Sequence, residues 1–287
     1  APAAIDAINK FNDIFLLLIG DEVQINSLLS EKIKKLEGIK YRIIHTKEHI
    51  SMNDDIVSAI RSKKKSSMRL AVNAVKNKEA DACVSAGNTG ALMALSKIIL
   101  KTIPGIDRPA ICGSLPTKTS QFHMLDLGAN VECSAKHLYE FAIMGSALVQ
   151  SLNLKTKPVI GLLNIGSEDF KGNETIKTAG HLIQKSNLNY AGFVEGDDMF
   201  NGKFDVIVTD GFAGNIALKS IEGVAKVISH FIKKEFTKNI FTKLSALISL
   251  PVMKSFKNKV DPRKYNGASL LGLQGIVVKS HGGADSL

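Results

Sequence analysis

Ala82-Cys83-Val84-Ser85-Ala86-Gly87-Asn88-Thr89-Gly90 runs directly into the amphipathic stretch 91–100. A short apolar run, a turn of small polar residues and a helical pattern follow one another, which reads as strand, loop and helix. Outward from this unit the same order repeats. Strand-like runs lie at 14–19, 41–45, 82–85, 111–115, 122–127, 159–164, 191–194, 206–209 and 276–279. Amphipathic stretches lie between them at 21–36, 66–78, 91–100, 135–152, 174–185 and 215–236. Strands alternating with helices predict an α/β fold, a mostly parallel sheet in a three-layer αβα arrangement. The runs are too apolar for a sheet with one wet face, which fits burial on both sides.

The chain has 287 residues, 45% apolar and 22% charged, which suits a globular protein and excludes a disordered or collagen-like one. The longest run of large apolar residues, 14–19, is far short of the roughly 20 that span a bilayer. No basic segment precedes it and Asp13 borders it, so it does not read as a signal peptide. Three cysteines, Cys83, Cys112 and Cys133, cannot all pair, which points to reduced thiols and a cytoplasmic location. One α/β domain over 1–287 with a helical projection at about 225–265 is the simplest organisation. A division into two lobes has no legible hinge.

The net charge is +10 and unevenly placed. From Lys226 to Lys264, ten basic residues face only Glu235 and Asp261. Ile240, Phe241, Leu244, Leu247, Ile248, Val252, Met253 and Phe256 are interleaved with them, and Pro251 interrupts the pattern. A proline ends or kinks a helix, so two helices are expected to meet near 249–251, with basic flanks and an apolar tip. Apolar bulk beside lysine suits a helix lying on anionic lipid, or a hairpin packed on another subunit. A solvated helix face is the plainest alternative. The chain has no Trp, and sparse aromatic residues weaken a nucleic-acid reading.

Four predicted strands end in small polar loops. Beside Ala86–Gly90, these are Gly128-Ala129-Asn130, then Ile165-Gly166-Ser167-Glu168 followed by Lys171-Gly172-Asn173, then Asp210-Gly211-Phe212-Ala213-Gly214-Asn215 followed by Lys219. Glycine lets backbone approach a ligand closely, and free N–H groups at a helix start favour an anion. In open parallel sheets, ligands gather where strand C-termini meet helix N-termini. One such loop is commonly just a turn, but four at strand ends point to an anion cradle. None is a Walker A loop or a Gly-x-Gly-x-x-Gly fingerprint, and no metal or cofactor is expected. His45-Thr46-Lys47-Glu48-His49 has inverted zinc-protease spacing, yet its first His closes a strand-like run rather than lying on a helix. Cys133 could be activated at a helix start or could simply fill space.

The combination Val84–Met93, Ile103-Pro104-Gly105-Ile106-Asp107-Arg108-Pro109-Ala110, Leu125–Asn130, Gly161–Gly166, Lys171-Gly172-Asn173-Glu174, Val194-Glu195-Gly196 and Thr209–Phe212 resembles the PlsX family of bacterial phosphate acyltransferases. Gly214-Asn215 and Lys219 follow in register. The resemblance runs from about Gly20 to His281. It implies a fold similar to phosphotransacetylases and the isocitrate/isopropylmalate dehydrogenase group. It implies acyl phosphate formation from acyl-[acyl carrier protein] and inorganic phosphate, feeding phospholipid synthesis. It also implies a homodimer in peripheral contact with anionic membrane and with the next acyltransferase of the pathway. The family's opening strand and Asp-Ala-x-Gly-Gly-Asp loop are expected just ahead of Ala1, and its last helix beyond Gly283.

On this reading Lys171, Asn130, Asn215 and Lys219 are the candidate catalytic residues. Phosphate meets the N–H groups of Gly87, Asn88, Thr89, Gly90, Gly214 and Asn215. Lys171 and Lys219 supply charge, and Asn130 and Asn164 act as oriented donors. Arg108 and Glu168 position substrate, and Asp210 and Gly211 complete the binding loop. Rival classes are a basic nucleic-acid binder, which a steep salt dependence of DNA affinity would reveal; a metal-dependent dehydrogenase of related fold, with Asp197, Asp198 and Asp210 as a thin ligand set; and a membrane scaffold with an impaired site.

Overall fold

The computed structural model describes residues 2–260 and 267–280, with the side chains of 257–260 and of Pro2 left aside. Asp261, Arg263, Lys264 and His281, invoked above, lie outside the described residues, as do the side chains of Lys257 and Lys259. The chain groups into two compact units, one from Ala1–Pro109 with Gly267–Leu287, the other from Ala110–Asn266. Alternation of strands and helices reads as one continuous unit because periodicity carries no information on which strands pair.

In the first unit, β1 (Leu16–Gly20) pairs in parallel with β2 (Tyr41–His45). Ile8 of α1 (Pro2–Lys10), Leu29, Ile33 and Tyr41 close a small core beside them. The predicted helix 21–36 is two short ones, α2 (Glu22–Leu28) and α3 (Glu31–Lys34), separated at the Ser30 cap position. α4 (Ile56–Ser62) is started by Asp55, whose carboxylate accepts the Ser58 N–H at 2.9 Å. α5 (Ser67–Lys76) packs Met68, Val72 and Val75 inward, and α6 (Thr89–Leu100) packs Leu92, Leu95 and Ile99. β3 (Ala82–Ser85) pairs in parallel with β10 (Ile276–Ser280), and β10 antiparallel with β9 (Gly267–Leu271). β9 had no sequence signal, since Gly-Ala-Ser-Leu-Leu lacks alternation.

In the second unit, β4 (Ala110–Pro116) pairs antiparallel with β5 (Gln121–Leu125). Beyond β5 come β8 (Val206–Val208), β6 (Ile160–Leu163) and β7 (Tyr190–Val194), all in parallel. Phe122, Met124, Leu125, Ile160, Leu162, Val206, Ile207 and Val208 are fully buried, as strands covered on both faces require. α7 (Ala135–Ser151) approaches closely because Gly145 has no side chain; a Cβ there would lie 2.5 Å from Val206. α8 (Glu174–Gln184) packs beside α7. The mixed, mostly parallel sheet with helices agrees with the fold expected from the sequence.

The projection consists of α9 (Gly211–Phe236) and α10 (Ile240–Val260). The turn falls at 237–239, not at Pro251, which lies inside α10. Asn239 decides this: its Oδ1 accepts the Thr242 N–H at 2.9 Å while its own N–H donates to Thr242 Oγ1 at 3.0 Å. That reciprocal cap starts a helix, whereas Pro251 removes one N–H and strains one turn.

His123, in the middle of β5, is buried, with Nδ1 3.0 Å from Ser114 Oγ. Burial holds its imidazole below the usual histidine range, only partly opposed by Asp205. A depressed folded pKa favours the neutral ring, so this contribution to stability is present above about pH 6.5 and drains as pH falls through the folded value. The unfolding free energy from urea denaturation should therefore fall as pH drops below 6.5, by at most about 1.4 kcal/mol per pH unit for this proton. His123→Gln should flatten that part of the profile; an unchanged acid slope would mean that His123 is not its source.

Candidate functional site

β5, β8, β6 and β7 are parallel neighbours, so the loops leaving their C-terminal ends share one edge. The loop after β5 is organised by Asp126, which is fully buried. Its Oδ1 accepts N–H groups of Ile111 (2.9 Å) and Ala129 (3.1 Å), and its Oδ2 accepts the N–H (2.6 Å) and Nδ2 (3.0 Å) of Asn130. Burial pushes this carboxyl above the usual range, while the four donors pull the other way. Asp126 was in the quoted motif but not among the expected site residues. An acidic residue two positions ahead of Gly-Ala-Asn at a strand end, Asp126-Leu127-Gly128-Ala129-Asn130, is the signal that could have found it.

The loop after β8 lies on this one, backbone to backbone. Gly211 N–H donates to the Asn130 carbonyl at 2.8 Å. A Cβ at Gly211 would sit 2.6 Å from that oxygen, and one at Gly214 would sit 1.9 Å from the Asp126 carbonyl oxygen. Gly128, at φ +118°, receives the Asn215 side chain: a Cβ there would lie 3.4 Å from Asn215 Cβ. Gly128, Asn130, Asp210, Gly211, Gly214 and Asn215 thus form one cluster.

α9 begins at Gly211, four residues earlier than the sequence reading, with Asp210 as its cap: Oδ1 accepts the Ala213 N–H at 2.7 Å. Gly214 N–H donates to the Asp210 carbonyl at 3.0 Å. The expectation that Gly214 offers this N–H to an anion is therefore corrected; its part is to permit the close approach. Asn215 is exposed, and Lys219 follows at i+4 on the same face. Lys219 Nζ lies 3.0 Å from Glu222 Oε2, so part of its charge is already answered.

The loop after β6 folds around Asn164, only 7% exposed. Its Nδ2 donates to the Lys171 carbonyl at 3.2 Å, and its Oδ1 has no hydrogen-bond partner among the described residues. Gly172, at φ +87°, makes this possible, since a Cβ there would fall 2.3 Å from Asn164 Oδ1. Gly166 gives room for Lys171 and Glu168, whose side-chain atoms would lie 2.9 and 2.8 Å from its Cβ. Lys171 N–H donates to the Glu168 carbonyl at 3.0 Å, and its half-buried ammonium stands 5.8 Å from the Phe170 ring centre. Asn130 and Asn164 were expected to donate to a ligand. Both are buried, with Asn130 Nδ2 donating to the Asp126 carboxylate and Asn164 Nδ2 to the Lys171 carbonyl.

In the other unit, Asn88 caps α6, its Oδ1 accepting the Ala91 N–H at 3.0 Å and its Nδ2 donating to the Met52 carbonyl at 3.2 Å. Gly87 and Gly90 leave space for neighbours, because Cβ atoms there would lie 2.7 Å from Met68 Cε and 2.5 Å from Ile56 Cδ1. The N–H groups of Thr89 and Gly90 open α6 and have no intrahelical acceptor by position. Arg108 is half-buried just before the division between units.

Cys83 and Cys112 are buried in strands, and burial raises both thiols, that of Cys83 to about 11. Neither is a thiolate near neutrality. Cys133 Sγ is 3.5 Å from the Asn130 carbonyl, as a donor.

The chain matches the family described as "Fatty acid synthesis protein" over residues 1–287. It is 54% identical over 284 residues to a phosphate acyltransferase of Methylococcus capsulatus, covering 99% of this chain and 84% of that protein. In fold it is similar to the EutD phosphotransacetylase of Staphylococcus aureus, with TM-score 0.60 and 16% identity over 98% of this chain and 85% of that one. It is also similar to the 4-hydroxythreonine-4-phosphate dehydrogenase of Klebsiella pneumoniae, with TM-score 0.52 and 10% identity over 94% and 81% of the two chains.

Proposed function

Because the chain belongs to the fatty acid synthesis protein family, among relatives that are phosphate acyltransferases, we propose that it takes its acyl group from the thioester of an acyl carrier protein. It is an enzyme of fatty acid and phospholipid synthesis that transfers an acyl group to phosphate. A phosphate oxygen attacks the thioester carbonyl carbon; the C–O bond forms, the C–S bond breaks, and the phosphate proton passes to the departing sulfur. The single observation that carries this reading is that β5, β8 and β6 are parallel neighbours, so the loops that bear Asn215 and Lys171 leave the same edge of the sheet.

Each residue has a distinct task. Lys171 brings positive charge to phosphate and to the oxyanion developing on the carbonyl. Asn215 orients phosphate from α9, and Lys219 adds charge behind it. Asn130 and Asn164 are positioning residues, acting through Asp126 and the Lys171 carbonyl. Glu168 orients the acyl donor; in the other unit, taken by itself, the N–H groups of Thr89 and Gly90 offer donors to an anion. Positioning and preorganised donors are sufficient for direct transfer, since a thiolate leaves readily. The raised thiols of Cys83 and Cys112 argue against a cysteine-linked intermediate at those positions.

The α9–α10 arm is the part that meets a second copy and an anionic membrane surface, close to where the next acyltransferase consumes the product. Phe231, Ile240, Phe241, Leu244, Leu247 and Ile248 are exposed along it, beside Lys233, Lys234, Lys238 and Lys243. Among the described residues no helix is long and apolar enough to cross a membrane.

The test is direct. Incubation of acyl carrier thioester with inorganic phosphate should release carrier thiol and acyl phosphate in equal amounts, with no thiol released when phosphate is withheld. Thiol release independent of phosphate would make the protein a hydrolase and end this reading.

A further inference from the structure

Resting on the carrier-thioester reading above, we propose that the acidic carrier protein docks on the surface formed by α4 and its flanks, residues 47–65, and not on the α9–α10 arm. The acidic groups of this stretch are all engaged. Asp54 Oδ2 accepts from Lys63 Nζ at 2.5 Å and from Ser51 N–H at 2.8 Å. Asp55 caps α4, and Glu48 Oε2 accepts the Lys65 N–H at 2.6 Å. The bond from Lys63 holds the Asp54 carboxyl below its usual range, and the Ser58 N–H does the same for Asp55. Lys47, Arg61, Lys64 and Lys65 are exposed and have no ion pair among the described residues. Met52 and Val57, in the same stretch, are 68% and 56% exposed. Val57 and Arg61 are four residues apart and share one face of α4.

Four exposed cations and two exposed apolar side chains within one short stretch complement an acidic helical surface with small apolar contacts. Charge of this kind sets partner choice and encounter rate. The arm instead exposes a long series of large apolar residues, which suits lipid or a second copy.

Position argues the same way. The 47–65 surface is fastened to one of the candidate phosphate loops: Asn88 Nδ2 donates to the Met52 carbonyl, and Ile56 fills the space beside Gly90. α4 has seven residues, about 10 Å at 1.5 Å per residue, so Arg61 on it stays near that loop. α9 has 26 residues, about 39 Å by the same measure, between the Asp210 cap and the arm's turn. A carrier seated at that turn would have to deliver its thioester along the length of the helix.

The experiment measures binding of palmitoyl-loaded acyl carrier protein by fluorescence anisotropy at low ionic strength, and binding of phosphatidylglycerol vesicles by co-sedimentation. The proteins are the parent, Arg61→Glu with Lys64→Glu, and Lys243→Glu with Lys254→Glu. The α4 variant should bind carrier about tenfold more weakly or worse, with the KM for acyl carrier rising in step and kcat and the phosphate KM unchanged. The arm variant should keep carrier affinity and lose vesicles. Carrier affinity within twofold of the parent in the α4 variant overturns the proposal, as does loss only in the arm variant, or loss of vesicles but not carrier at α4. If the α4 double variant melts lower than the parent, Lys64→Gln with Lys65→Gln carries the same comparison, with a severalfold loss expected. Carrier binding without phosphate-dependent thiol release would sink the acyl-transfer reading and leave the docking surface standing. No carrier binding by the parent would remove the docking surface, and turnover of a small acyl thioester would still decide the reaction.

Discussion

Gly214→Ala is expected to destabilise the protein by about 3 kcal/mol or more and to abolish turnover, the most damaging single methyl group at the site. The added carbon would lie 1.9 Å from the Asp126 carbonyl oxygen and 2.9 Å from Thr209 Cγ2. The first contact is with backbone, so no side-chain rotation relieves it. That backbone is held from several sides: Asp126 N–H donates to the Thr209 carbonyl at 3.0 Å, and the Asp126 carboxylate grips Ile111, Ala129 and Asn130. The strain must therefore separate α9 from the β5 loop or break this network. Gly223→Ala is the matched control, in the same helix with open space around it. It should be neutral or stabilising, by up to about 1 kcal/mol, because alanine is the better helix former. Urea denaturation of both variants decides the matter. A Gly214→Ala protein as stable as its parent would falsify the backbone contact that joins the two loops.

Lys171→Ala should lower kcat by about 10²- to 10³-fold, the usual cost of removing one donor to a developing oxyanion. The fold should survive, because what shapes this loop is main chain: the Lys171 N–H on the Glu168 carbonyl and the Lys171 carbonyl under Asn164 Nδ2. Removing the ammonium leaves both bonds in place. The phosphate KM should rise together with the loss of kcat, since the same charge meets ground state and transition state. Asn215→Ala should behave alike, with its Gly128 contact reduced to a methyl group. Full activity in both variants, at unchanged melting temperature, would move the reaction away from this edge.

Much of this fold was legible from periodicity. β2 and β3 match their predicted spans, and β4 to β8 and β10 fall within a residue or two of theirs. Long strands and helices with one buried face carry their own signal. α1, α4 and β9 carried little: α4 is a capped helix of only seven residues, and β9 is held by its pairing with β10. Pro251 misled because a proline is a louder signal than a cap. The reciprocal Asn239–Thr242 bonds set the boundary, and they are visible in sequence only as a common pair of residue types.

Among the candidate residues, glycines were recognised as meaningful but for a different reason. They were expected to admit a ligand, and several admit protein: Met68 at Gly87, Ile56 at Gly90, main chain at Gly211 and Gly214. Asn130 and Asn164 were chosen as donors, which their chemistry permits. Their burial turned those donors inward.

By itself, the order of residues determined that strands and helices alternate, that small polar loops follow the strands, and that basic charge concentrates toward the C-terminal third. Those properties are local, arising from side-chain period and composition along the chain. Only the tertiary structure decided that β5, β8 and β6 lie side by side, that Asp126 anchors the first loop, and that Asn215 rests on Gly128. Strand order and hydrogen-bond partners depend on contacts between residues tens of positions apart, and no periodicity along the chain encodes them.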